Sequence, residues 1–379
     1  MSYLEYSVKS TPTGWRKILH LNWALAMLLA AVACVGFLML YSVAGGSFTP
    51  WAGTQIERFS IGFSLMICVA LVPIWFWRNM SVLAYIVSIL LLLYVEFFGA
   101  SGGGAQRWID LGFMRLQPSE MAKITVVMIL AAYYDWLDLE KVSNPIFVAI
   151  PLALIGLPVG LTVIQPDLGT SLLIMMGGGA VLFLAGTHWL YFVTVIALGV
   201  GAVTAVLMGR GTSWALLAEY QYDRIDTFLN PSSDPLGDGY HITQSQIALG
   251  SGGWTGRGFL QGTQIRGDFL PESHTDFIFP TLAEEFGFVG AASLLVLYVL
   301  ILLFCCATAY LARDRFASLL VMGIAVTFFL YFGVNMAMVM GLAPVVGVPL
   351  PLVSYGGSAM LVLMVAFGLV QSAHIHRPR

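Results

Sequence analysis

Residues 21–44 read LNWALAMLLAAVACVGFLMLYSVA, an apolar run with no acidic or basic side chain. A helix crossing the hydrocarbon of a bilayer needs about 20 mostly apolar residues, so this run is long enough to span. The apolar region of a secretory leader is shorter, about 7–15 residues, which makes the run a membrane span and not a cleaved signal. Comparable runs follow near 59–77, 81–99, 120–136, 145–164, 168–186, 189–208, 281–311, 316–341 and 354–374. The expected fold class is therefore an all-α polytopic membrane protein, one domain over 1–379 with about ten transmembrane helices. The seventh and eighth are joined by a long extracytoplasmic loop, 209–280.

Composition agrees. Of 379 residues 59% are hydrophobic and 10% charged, with mean hydropathy +0.86. Soluble domains carry about 25% charged residues. A soluble multidomain enzyme, a disordered chain and a DNA-binding protein are excluded, and no nucleic acid is expected as a partner. The net charge of −3 matters less than where the charges fall. Lys9, Arg16, Lys17, Arg78, Lys141, Arg313, Arg315, Arg377 and Arg379 collect on one side of the spans, against Arg58, Arg107, Arg115 and Lys123 on the other. The richer side is assigned to the cytoplasm, which places both termini there. Cys34, Cys68, Cys305 and Cys306 lie inside apolar runs without metal-ligand spacing and read as packing residues.

The unusual polar sequence gathers on the external side. The loop 209–280 holds turn chemistry at Asn230-Pro231-Ser232-Ser233-Asp234-Pro235 and Gly237-Asp238-Gly239. A short helix is expected over about 240–249, stopped by Gly250-Ser251-Gly252-Gly253. Trp214, Tyr220, Tyr222, Tyr240 and Trp254 suit a segment lying on the bilayer interface. At the start of the fourth span, Gln117-Pro118-Ser119-Glu120 opens a helix, with Pro118 in the first turn and Ser119 as its cap. Glu120 and Lys123 share a face at i and i+3. They form either a local ion pair at the membrane rim or, with Arg107, an anion-holding group in which Glu120 positions the lysine. Asp167, in Gln165-Pro166-Asp167-Leu168-Gly169-Thr170, is either an N-cap or a neighbour of that site.

The most informative stretch is Pro271-Glu272-Ser273-His274-Thr275-Asp276-Phe277-Ile278-Phe279-Pro280, where titratable groups run directly into an apolar span. A carboxylate at that boundary loses hydration, which raises its pKa and makes Asp276 a candidate base. His274 is placed to orient Asp276 or a substrate hydroxyl. Deeper in the same span, Glu284 lies about 12 Å below Asp276 if the helix is continuous. Glu284 and Glu285 are expected to pair with a neighbouring helix, without a catalytic role. The apolar, Pro- and Gly-rich 341–351 connection cannot be regular helix, and irregular backbone at that depth must be buried or line a cavity. Ser354-Tyr355-Gly356-Gly357-Ser358 then opens the last span, as a re-entrant turn or as substrate lining, and Arg58 adds another cation at the outer rim.

Gly104-Ala105-Gln106-Arg107-Trp108, Gln117-Pro118-Ser119-Glu120, the Gln165–Thr170 and Pro271–Phe279 stretches and Pro349–Ser358, in this order, resemble the SEDS family (shape, elongation, division and sporulation). Gly262-Thr263-Gln264 ahead of Asp268–Glu272, together with Val348–Val353, is similar to the elongation branch, not the division branch. The resemblance implies a peptidoglycan glycosyltransferase that polymerises lipid II at the outer face of the cytoplasmic membrane. It implies a class B penicillin-binding protein as transpeptidase partner, with other membrane proteins of the elongation complex. Asp276 becomes the implied catalytic carboxylate. Trp108, Glu120, Lys123 and Asp167 become expected site residues, and with Arg58, Arg107, His274, Thr275, Ser354 and Tyr355, which the reading of the residues supplies, they form the expected substrate-binding set. Positive charge for the departing diphosphate is expected from Arg58, Arg107 and Lys123 or from a divalent cation such as Mg2+ or Mn2+, with no dedicated metal motif in the sequence. The competing reading is a lipid II flippase, which should carry polar groups through the midplane. Here the ionisable groups gather at one rim, with Glu96, Glu284 and Glu285 as deeper exceptions.

Overall fold

A computed structural model describes residues 14, 16–102, 105–112, 114–210, 222, 238–267, 269–270 and 272–377. Asn22 caps the first long helix by accepting from the Leu25 amide at 3.2 Å. The helices are α1 (Arg16–Leu19), α2 (Trp23–Val43), α3 (Ala52–Leu71), α4 (Ile74–Phe98), α5 (Pro118–Trp136), α6 (Pro145–Ile164) and α7 (Leu168–Leu184). They continue with α8 (Trp189–Gly209), α9 (Asp238–Ser251), α10 (Thr263–Arg266), α11 (Ile278–Leu311), α12 (Arg315–Val339) and α13 (Gly357–Ile375). Ten of these are long, as expected, and eight are apolar and long enough to cross a membrane by length and composition. The other two are α5, which carries Glu120, Lys123 and Asp135, and α7, which has 17 residues.

Helices α12 and α13 lie at the centre, each with 67% of its most apolar window buried. Around them α3 packs on α13, α11 and α7 on α12, and α5 on both α4 and α7. Helix α8 has none of its window buried; its start is held where the Tyr191 hydroxyl donates to Ser143 O at 3.0 Å. At the end opposite the site, Asp135 ties three helices together. Its carboxylate pairs with Arg78 at 3.1 Å and accepts from the Phe316 amide at 3.2 Å.

Several boundaries differ from the sequence reading. The second span starts at Ala52, not 59, and Pro73 ends it, because a proline fixes its own φ and keeps the residue before it extended. Arg78 therefore lies on α4 itself. The 100–116 connection folds into a small antiparallel sheet: β1 (Ala100–Gly102), β2 (Ala105–Asp110) and β3 (Arg115–Leu116), in that order. Asp110 makes the turn between β2 and β3 by accepting from Gly112 N at 2.8 Å. Ser119 does not cap α5. Gln117 takes the cap position without a side-chain bond, and Ser119 is buried one residue inside the helix. The short loop helix appears as α9 and ends at Ser251, as the glycines require. The turn sequence 230–235, with Trp214 and Tyr220, lies outside the described residues.

The eighth span is not one helix. Gly287 adopts φ 66° and ψ −164°, which splits α11. Segment 253–258 heals the break: Arg257 N and Gly258 N donate to Glu284 O and Glu285 O, both at 3.0 Å, and Phe288 N donates to Gly253 O at 2.9 Å. A Cβ on residue 287 would lie 2.3 Å from Gly256 N, so only glycine allows this approach. The two glutamates beside the break are spoken for. Glu284 accepts from Thr263 N at 2.8 Å and Thr263 Oγ1 at 2.7 Å, which holds the start of α10, and Glu285 accepts from Ser42 of α2 at 2.5 Å. Pairing with a neighbouring helix is thus met by Glu285, while Glu284 holds the connection that contains α10.

Candidate active site

Asp276 lies two residues before α11, where Phe277, at the cap position, is already buried. The carbonyls of three consecutive residues are tied down, two of them to the re-entrant connection between α12 and α13 and the third to α12 itself. Tyr355 N donates to His274 O at 2.8 Å, Ser354 Oγ donates to Thr275 O at 2.5 Å, and Asn335 Nδ2 donates to Asp276 O at 2.9 Å. Ser354 Oγ also accepts from Leu350 N at 2.8 Å, and Ser354 O accepts from Gln55 of α3 at 2.8 Å. The irregular backbone at 341–356 is thereby paired with protein groups, as its depth demands.

Burial pushes the Asp276 carboxyl up to about 6, with the neighbouring Glu272 charge as the smaller cause. Burial holds the His274 imidazole below its usual value, partly offset by Glu272. His274 stacks on Trp51 at 4.6 Å between ring centroids, and Arg58 lies 4.9 Å from the centroid of Tyr355. The Thr275 hydroxyl donates to Glu272 Oε2 at 2.9 Å.

A second group lies across α12. Lys123 Nζ is 2.7 Å from Glu120 Oε1, with the two side chains 2% and 6% exposed. The Tyr331 hydroxyl donates to the other Glu120 oxygen, and its ring lies 4.0 Å from Lys123 Nζ. Asp167 caps α7 through Thr170 N at 3.2 Å and accepts from Gln117 Nε2 at 2.9 Å. Arg107 donates to the carbonyls of Gln165, at 3.0 Å, and Pro166. Trp108 follows Arg107 on β2 and so points to the other face of that strand.

The two groups share one end of the bundle. Tyr331 and Asn335 stand four residues apart on α12, one turn or about 6 Å, and hence on one face. The re-entrant segment passes between them and α7: a Cβ on Gly169 would lie 2.4 Å from Val346 O, and one on Gly347 would lie 3.6 Å from Asp276 Oδ2. The structure brings Asp276, His274, Thr275, Ser354, Tyr355 and Arg58 into one cluster, and Glu120, Lys123, Asp167 and Arg107 into the adjoining one. Trp108 has no described contact with either. Sequence reasoning missed Trp51, Gln55, Tyr331 and Asn335. Gln55 and Asn335 carried a signal, since an amide within an apolar span is costly unless paired. His241 of α9 stacks on Phe277 with ring centroids 6.0 Å apart. Among the described residues, no cluster of three or more His, Cys, Asp or Glu is placed to hold a metal ion.

An apolar bundle with Asp276, Glu120, Lys123, Asp167, Arg58 and Arg107 drawn together at one end defines a polytopic membrane protein with its polar site at that end. Residues 19–379 match the Cell cycle protein family of FtsW, RodA and SpoVE, and the chain belongs to it. Peptidoglycan glycosyltransferase MrdB of Escherichia coli K12 is 43% identical over 367 residues, covering 96% of each chain. A probable peptidoglycan glycosyltransferase FtsW of Thiomicrospira cyclica is 34% identical over 368 residues, covering 94% of this chain and 92% of that one. The crystal structure of the rod shape determining protein RodA of Thermus thermophilus superposes with a TM-score of 0.71 at 27% identity, over 95% of this chain and 98% of that one. A chain from a peptidoglycan synthase complex that coordinates polymerization and crosslinking superposes with a TM-score of 0.78 at 31% identity, over 93% and 97%. The elongation-branch resemblance expected from the motifs is borne out.

Proposed function

We propose that this protein is a peptidoglycan glycosyltransferase that polymerises lipid II at the outer face of the cytoplasmic membrane during cell elongation. The observation that carries the reading is Asp276: a carboxyl raised to about 6, held by three backbone ties at the lip of an apolar bundle in a chain 43% identical to a named peptidoglycan glycosyltransferase. In the proposed step a hydroxyl of the acceptor sugar attacks the anomeric carbon of the lipid-diphosphate-linked donor. Asp276 takes the hydroxyl proton as the new C–O bond forms. The bond from the anomeric carbon to the diphosphate breaks, and its electron pair leaves with the polyprenyl diphosphate. Direct displacement inverts the anomeric centre. Arg58 and Arg107 supply the positive charge that a diphosphate needs. Arg107 spends two of its five donor hydrogens on carbonyls, which leaves others for an anion. Lys123 is buried in its ion pair and acts on the site through Glu120 and Tyr331. Among the described residues no three His, Cys, Asp or Glu side chains are gathered to hold a divalent cation.

The same reading puts both termini in the cytoplasm, since the richer set of basic residues flanks the end opposite Asp276. It also makes a class B penicillin-binding protein the crosslinking partner, supported by the likeness to a chain of a synthase complex that couples the two activities.

The test is purified protein given lipid II in detergent with Mg2+, with products separated by length. Glycan strands are the expected result. Translocation of lipid II in reconstituted vesicles without any polymer would overturn the reading in favour of a transporter.

A pH dependence follows from the raised carboxyl. A general base works ionised, so strand formation is expected to rise with pH through about 6 and then level off. Glu272→Gln removes one cause of the rise, and the acid limb is expected to move to lower pH. Initial rates against pH for both proteins check this; superimposed acid limbs would take Glu272 out of the account.

A further inference from the structure

We infer that Asn335 is a positioning residue for Asp276, its amide holding both the backbone that carries the carboxylate and the surface against which the carboxylate lies. The inference rests on the reading of Asp276 as the base. Asn335 has no exposed surface and stands in α12 between Val334 and Met336, in a stretch with no charged side chain. A buried amide there is costly unless its polar atoms are used.

Its nitrogen is used twice. Nδ2 donates to Asp276 O at 2.9 Å and to Val348 O at 2.7 Å, joining the entry to α11 with the re-entrant segment. The two carbonyls also settle which way the amide faces, because a flipped Asn335 would set its own oxygen against both. Oδ1 has no partner among the described residues, so the hold on the site comes entirely through the nitrogen.

The consequences are local and directional. Fixing Asp276 O just before the helix begins limits rotation about the residue that carries the carboxylate. Fixing Val348 O holds Gly347, at φ 68°, next to Asp276 Oδ2. Tyr331, one turn away, ties the same helix face to Glu120. Asn335 therefore sets the register between the base and the buried ion pair without touching substrate.

The experiment is a double-mutant cycle in the polymerisation assay. Asn335→Ala removes the donor, and Asn335→Leu removes it while nearly keeping the side-chain volume. Both are expected to lower kcat by about 100-fold, the scale of a misplacement near 1 Å, with KM for lipid II changed by less than about threefold. Both should remain monodisperse and folded in detergent. Because Asn335 acts through the carboxylate, Asp276→Asn with Asn335→Ala is expected to be no slower than Asp276→Asn alone. Additive losses would make Asn335 a general packing residue and overturn the inference, as would wild-type kcat in both single variants. Failure of both single variants to fold would do the same, by marking Asn335 as a residue that holds the fold. A fully active Asp276→Asn would instead show that the base itself is misassigned, and the inference would fall with it.

Discussion

Asp276→Asn is expected to slow glycan-strand formation by about 10²–10⁴-fold, the range for removing a general base. The substitution is nearly isosteric, and the bonds that hold this residue run through its backbone carbonyl, which it keeps. Lipid II binding should therefore persist while turnover is lost. The same change is expected to leave the protein at least as stable as the parent. A carboxyl raised from 3.8 to about 6 in the folded chain favours folding while protonated, and that contribution is fully present below the unfolded value. It is lost as pH rises through about 6, so at neutral pH the ionised group works against the fold. Loss of turnover with unchanged or improved thermal stability is the signature of a site that trades stability for chemistry. Single-turnover assays and melting curves on the purified proteins test both halves. Near-normal turnover by Asp276→Asn or Asp276→Ala would remove Asp276 as the base.

Lys123→Met should be the most damaging change for the fold. Glu120 would be left buried with only the Tyr331 hydroxyl bonded to it, and breaking a buried pair from one side costs about 3–5 kcal/mol. Replacing both partners leaves no orphaned charge, so Glu120→Gln with Lys123→Met is expected to recover most of the lost stability. It should not recover strand formation if the pair also serves the site. Thermal unfolding of the three proteins in detergent, followed by the polymerisation assay, separates the two effects. A Lys123→Met protein as stable as the parent would mean the pair adds nothing to the fold.

The spans were legible because hydrocarbon imposes a length, and a run such as 21–44 has no other use. The start of α3 was not, because Ala52–Arg58 is too polar to extend an apolar run, and it is helical for reasons of packing: Gln55 is needed at Ser354. The split at Gly287 was hidden for the opposite reason. Its flanks are as apolar as any span, and what breaks the helix is a segment about thirty residues earlier in the chain. Asp276 stood out where charge meets oil within one residue. Asp167 was correctly narrowed to a cap or a site neighbour, and the structure gives it the cap bond and a place beside Gln117. Asn335 and Tyr331 stayed invisible because their partners, Asp276 and Glu120, are 59 and 211 positions away. No local pattern reports a contact of that range.

The re-entrant connection after α12 has no regular ladder of its own. Its backbone groups are met by Gln55 from α3, Tyr298 from α11 and Asn335 from α12, along with Ser354. Ser354 lies within the segment and Asn335 just ahead of it, but Tyr298 and Gln55 come from helices much earlier in the chain. The floor beside Asp276 thus takes its shape from side chains contributed by both halves of the polypeptide.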